Sequence, residues 1–181
     1  MSGSCLYIDG LSLYYGSVRG TPFLWLDLEM FAQAFGIDPA IMRIHYFATP
    51  DPDPTRRERQ QEYLRAVRTL PRVKVHEVQG THAVAEMSQR ILEDDRAGKY
   101  SLLVVLANDG RFAQCIDALQ TRCCVLLANK RKLTDPALPH LGTFRKRISR
   151  SSLETSLFPD TLVDADGNEI RKPTNWHEDI S

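Results

Sequence analysis

Apolar positions along this chain follow two alternating rhythms. Short runs rich in branched side chains predict buried strands, and stretches with apolar residues three and four positions apart predict amphipathic helices between them. The opening is the clearest case. Cys5–Ile8 reads as a strand that ends in Asp9-Gly10, after which apolar residues resume at helical spacing over Leu11–Gly16 as a helix or turn. A buried strand thus delivers a carboxylate to its C-terminal tip, and Gly10 permits the sharp turn that follows. The same pattern recurs where the strand Ser101–Leu106 runs into Asn108-Asp109-Gly110 and a helix follows over Arg111–Leu119.

Between these come further elements. Helices are predicted over Leu26–Phe35, with Asp27 near its start and Gly36 closing it, over Thr55–Leu70, and over Val84–Arg96 ending near Gly98. Strands are predicted at Met42–Phe47, Val73–Val78 and Cys123–Leu127, and the Pro-rich 49–54 segment must be a loop. Strand and helix alternate throughout, which argues for an α/β three-layer sandwich on a mostly parallel central sheet. After Lys130 the regularity fades. Arg145–Ser149 reads as a last short strand, and Asp164–Asn168 as a hairpin turn. The acid spacing in that turn hints at a calcium loop, but Glu169 stands where the motif requires glycine, which excludes it. The organisation expected is one domain over 1–150 with a C-terminal extension, 151–181, packing on it.

Charge narrows the function. Lys and Arg total 23, as do Asp and Glu, so no whole-molecule field attracts polyanions and any nucleic-acid binding must use local patches. No apolar run approaches the ~20 residues needed to span a bilayer. The N-terminus lacks the basic and apolar regions of a signal peptide, so a cytoplasmic protein with no membrane role is expected. The four cysteines show no C-x-x-C spacing and read as buried, reduced core thiols rather than a zinc or redox site. No motif places a serine–histidine–acid set, and the phosphate cradle G-x-x-x-x-G-K-[ST] is absent.

Several segments together resemble a family. Tyr7-Ile8-Asp9-Gly10-Leu11-Ser12-Leu13-Tyr14-Tyr15-Gly16, the pair Tyr46-Phe47, Arg59-Gln60-Gln61-Glu62-Tyr63-Leu64 with Ala66, and Leu106-Ala107-Asn108-Asp109-Gly110-Arg111-Phe112 are similar, in order, to the motifs of the NYN domain. That is the PIN-like nuclease family to which the LabA-type bacterial proteins belong. The tail, Ser156-Leu157-Phe158-Pro159-Asp160 with Gly167, Arg171-Lys172-Pro173 and Trp176, is similar to the extension of one bacterial branch. The resemblance implies a PIN-like fold and a Mg²⁺- or Mn²⁺-dependent ribonuclease. In such a site converging carboxylates hold a hard cation that orients water and stabilises charge on the phosphate.

Measured against that family the acidic site is depleted. Asp9 and Asp109 match as metal ligands. Ser12 stands in place of an asparagine, and Arg111 replaces the second acid of the strand-tip pair. The next helix offers Val84, or His82 in the other register, where an acid is expected, with Glu86 nearby as a substitute catalytic acid. Two carboxylates ~5 Å apart repel by roughly 3 kcal/mol at an effective dielectric of about 20. A dication relieves this, and so does an arginine, which also repels the metal. Basic residues cluster at Lys130-Arg131-Lys132 and at Arg145 and Arg147, suited to the phosphates of single-stranded RNA, and Tyr14 and Tyr15 offer rings for stacking. Two readings follow. One is an RNA-directed protein on a metal-dependent endoribonuclease scaffold with weakened hydrolysis. The other is a catalytically inactive binding or assembly module, with a homo-oligomer or protein partner.

Overall fold

A computed structural model describes residues 3–128 and 135–174. Six strands form its central sheet: β1 (Ser4–Asp9), β2 (Ile41–Ala48), β3 (Val73–Glu77), β4 (Leu102–Leu106), β5 (Cys123–Leu127) and β6 (Phe144–Arg147). Their order is β3-β2-β1-β4-β5-β6, and every neighbouring pair is parallel. The helices are α1 (Gly10–Leu13), α2 (Leu28–Gln33), α3 (Pro54–Arg68), α4 (Ala83–Arg96), α5 (Ala113–Asp117) and α6 (Arg150–Glu154). A hairpin of β7 (Thr161–Val163) and β8 (Glu169–Arg171) turns through the predicted 164–168 segment.

Alternation along each strand builds two cores. Leu6, Ile8, Val104 and Leu106 face α1, α2, α3 and α6, whereas Cys5, Tyr7, Leu103 and Val105 face α4 and α5. The chain winds outward from β1 to β3, crosses back, and then winds the other way through β4 to β6. Right-handed crossovers in opposite directions put the two helix layers on opposite faces. The fold is therefore an α/β/α sandwich. β4 and β5 are fully buried, which explains their unbroken apolar runs. The tail packs on the first core through Phe158 and Ile170, and the Trp25 indole donates to the Pro159 carbonyl at 2.8 Å.

Several boundaries differ from the sequence reading for local reasons. Asp27 accepts the backbone N–H groups of Glu29 and Met30, so α2 starts at Leu28. Leu26, expected in that helix, instead makes a β-bridge to Leu157. The expected Arg111–Leu119 helix is shorter. It opens as a 3₁₀ turn over Gly110–Phe112, and the Asp95 carboxylate takes the N–H groups of Gln120 and Thr121 to lead the chain into β5. Ser149, expected in the last strand, is instead the N-cap of α6. After α1 the backbone widens into a π-helical turn, Tyr14–Val18.

Candidate functional site

In parallel sheets of this kind the ligand crevice lies where strand order reverses, at the carboxyl ends of the strands. Here that place is between β1 and β4. The structure brings Asp9 and Asp109 there, each as the N-cap of the turn that follows its strand.

The two acids are held differently. Asp9 is buried and accepts from both the hydroxyl and the backbone N–H of Ser12. Burial raises its pKa, with a smaller push from the charge of Asp109, and the Ser12 donors work against both. The Ser12 hydroxyl in turn accepts the Asn108 N–H at 2.9 Å, and the Asn108 side-chain amide donates to the Ser12 carbonyl at 2.7 Å. Ser12 thus ties the tip of β1 to the tip of β4. Gly16 lets the π-helical turn approach this junction, since a Cβ there would lie 2.0 Å from Asn108 Nδ2.

Asp109 is bound to Arg111. The guanidinium reaches both carboxylate oxygens, with Nε at 3.1 and 3.0 Å and a terminal nitrogen at 2.6 Å, and the Arg111 N–H adds a bond of 2.9 Å. These bonds hold the Asp109 carboxyl below the usual carboxylate range. Glu86 lies exposed in the first turn of α4, and Val84 is half-buried against the second core. Among the described residues no third carboxylate joins Asp9 and Asp109 at metal-ligand spacing. A further acid that the sequence reading missed, Asp135, lies against the strand-tip turn, its carboxylate occupying the space a Cβ on Gly110 would need. Its position after β5 and before a proline was the available signal. It caps the next turn by accepting the Ala137 N–H. Arg111, on both oxygens of Asp109, and Ser12, on one oxygen of Asp9, compete with a Mg²⁺ or Mn²⁺ ion for these donors.

The basic candidates divide. Lys130, Arg131 and Lys132 lie outside the described residues. Arg147 ends β6 at the same sheet edge as Asp9, bonded to the Ala128 carbonyl at 2.6 Å, and Arg145 is exposed and bonds the Leu141 carbonyl. Three strand spacings separate β1 from β6, roughly 14 Å. Tyr15 is exposed, whereas Tyr14 packs partly on the core.

A different cluster was invisible in the sequence. Cys5, His45 and Asp94 bring one potential ligand atom each to within 4.8 Å of one another, beneath α4. A soft thiolate with imidazole and carboxylate would suit zinc. The Asp94 carboxylate is already engaged by other groups instead. Asp94 accepts from the Tyr7 hydroxyl at 2.9 Å and Lys99 at 2.6 Å, with Arg90 at 3.3 Å. Burial pushes the Cys5 thiol up to about 12. Burial, with the charges of His76 and Arg90, lowers His45 to about 4, and its Nδ1 lies 2.8 Å from His76 Nε2. Two cations already balance the one carboxylate, which leaves no charge for a dication.

No family model matches the chain. It is 28% identical over 116 residues to 6-hydroxy-3-succinoylpyridine 3-monooxygenase HspA of Pseudomonas putida, a match covering 52% of this chain and 37% of that protein. The chain therefore spans about a third of that relative's length. Among solved structures it superposes on a protein of unknown function from Vibrio parahaemolyticus with a TM-score of 0.58 and 14% identity, covering 82% of this chain and 94% of that one. That likeness carries the α/β sandwich and nothing further. Among the described residues no helix is long and apolar enough to cross a membrane.

Proposed function

We propose that this chain is an NYN-type, PIN-like protein that holds single-stranded RNA along the C-terminal edge of its sheet and has exchanged metal-dependent hydrolysis for binding. The observation that carries this reading is the Arg111–Asp109 pair. Where the resemblance expects a second acid, a guanidinium engages the remaining carboxylate through both of its oxygens. An arginine so placed removes the negative charge a dication needs and leaves the edge more attractive to phosphate. Arg147 at the same edge supports the same reading. A residual Mg²⁺- or Mn²⁺-dependent ribonuclease is the second reading, favoured by the charge of Asp109 being felt at Asp9.

Fluorescence anisotropy with a labelled single-stranded RNA, in EDTA and in Mn²⁺ over a salt series, separates the two. Binding is expected to be the same with and without metal, with intact RNA on a denaturing gel. Arg147→Ala should reduce the salt slope by about 0.7, at ~0.7 per lost single-strand phosphate contact, whereas Arg145→Ala, whose side chain bonds back to Leu141 before β6, should leave it unchanged. Mn²⁺-dependent cleavage abolished by Asp9→Asn establishes the ribonuclease instead. No saturable RNA binding at low salt rejects both.

A further inference from the structure

A cavity of about 330 Å³ opens beside the crevice, between α1, the π-helical turn, the ends of β1 and β2, and α3. Its size is at the lower end of the ~300–1,000 Å³ found for small-molecule sites, enough for one ring system and a substituent. Gly10, the residue after Asp9, forms part of its wall, so the cavity begins one residue from the strand-tip acid.

The lining has a definite chemistry. Four of the chain's six tyrosines, Tyr14, Tyr15, Tyr46 and Tyr63, face it, over an apolar floor that includes Leu13 and Leu24. Tyr14 and Tyr15 meet edge to face with centroids 5.0 Å apart, and Tyr46 and Tyr63 do so at 6.4 Å. Such walls favour a flat aromatic guest, which gains dispersion and quadrupole contacts on several sides at once. Thr49, another lining residue, has a buried hydroxyl with no hydrogen-bond partner. Buried polar atoms are nearly always paired, so an orphan in a cavity wall points to a partner the protein itself does not supply. Arg56 and Arg59, one turn apart on α3, line the rim, with Arg56 held in place by the Asp51 carboxylate at 3.2 Å.

We infer that this cavity is a nucleotide site, with the base between the tyrosines, a polar atom of the base edge bonded to Thr49, and the phosphate at Arg59 and Arg56. The ring alone would fit an apolar pocket. The orphan hydroxyl adds a requirement for a hydrogen-bonding ring edge, and the two arginines, Arg56 beside Asp51, make a rim that suits an anion. A nucleoside monophosphate meets all three, whether free or as one unit of a bound strand. The inference deepens the proposed RNA reading by naming where one nucleotide of the strand is gripped.

The test titrates the whole protein with uridine and guanosine monophosphates, with the matching nucleosides, and with a short oligouridine, following tyrosine fluorescence and calorimetry. At least one monophosphate should saturate in the micromolar to millimolar range, and its nucleoside should bind about tenfold more weakly. Thr49→Val removes only the unpaired hydroxyl, so the variant should melt no lower than the parent and yet bind the monophosphate up to about tenfold more weakly. Arg59→Gln should weaken the monophosphate and leave the nucleoside unchanged. Tight monophosphate binding without oligouridine binding upholds the cavity as a free-nucleotide site and ends the RNA reading. Oligouridine binding that ignores Thr49→Val and Tyr15→Ala, with no monophosphate saturation, upholds the RNA reading and overturns the cavity site. Saturation by neither ligand overturns both.

Discussion

Acid should destabilise this protein through His45 as the pH falls below 6.5. The imidazole is buried on β2, stacked on Tyr7 with centroids 5.5 Å apart, and shares a hydrogen bond with His76, ring nitrogen to ring nitrogen at 2.8 Å. Burial, with the positive charges around it, lowers its pKa from 6.5 to about 4, and His76 is lowered as well. Unfolded chains take up this proton near the ordinary value, whereas the folded protein resists it. Between these values the unfolded state binds more protons, so stability is complete above pH 6.5 and falls as pH falls toward 4. Integrating from pH 7 to 4.5 with these two values gives a loss of about 2 kcal/mol from His45 alone. In a chain of this length that is a drop in Tm of about 4–8 °C.

Urea unfolding from pH 7 to 4.5 reads the effect, with His45→Gln as the control that keeps a hydrogen-bonding group toward His76 and does not titrate. The informative quantity is the slope of stability against pH, since the substitution also changes stability at neutral pH. The variant should lose about 2 kcal/mol less than the parent over this interval. Equal losses in both proteins would show that His45 is not the group that resists its proton, and the polar network beneath α4 would need another account.

Three further outcomes are expected. Arg111→Ala should let the Asp109 carboxyl rise toward its usual pKa, visible in carboxyl-carbon NMR, and should tighten Mn²⁺ binding several-fold by calorimetry; unchanged affinity would show that Arg111 is not what excludes the metal. Gly16→Ala should cost about 1–3 kcal/mol in urea unfolding, because the added Cβ meets Asn108 Nδ2 at 2.0 Å and the Ala128 Cβ at 2.8 Å; a variant as stable as the parent would disprove the tight junction of the two strand tips. Asp94→Asn should cost about 2–3 kcal/mol, below the usual range for a broken buried pair because Arg90 and Lys99 are partly exposed, and a smaller loss in salt-independent unfolding would mean the carboxylate is not the centre of its network.

The α/β alternation, the two strand-tip acids and the three-layer sandwich were legible in the residues, because each rests on a local rule. Leu102–Leu106 is apolar throughout because a central parallel strand is covered on both faces, and Asp9, Asp27, Asp53 and Asp109 cap the turns directly after them. What escaped the sequence joins positions far apart in it. Ser12 meets Asn108 across 96 residues, Tyr7 meets Asp94 across 87, and His45 meets His76 across 31. The tyrosine cavity draws on α1, β2 and α3 together, and no periodicity within one of them announces it. The fate of Arg111 was likewise undecided by its type, since an arginine beside an aspartate is equally able to point into solvent. Side-chain periodicity is a property of neighbours along the chain, so it determined the elements and their layers. The Asp109–Arg111 and Asp9–Ser12 contacts are local, two and three residues apart, and depend on rotamer choice within one turn. Long-range pairing and cavity shape depend on which strands lie side by side, so only the tertiary structure decided that Ser12 ties the tip of β1 to that of β4 and that a pocket with an unpaired hydroxyl lies next to them.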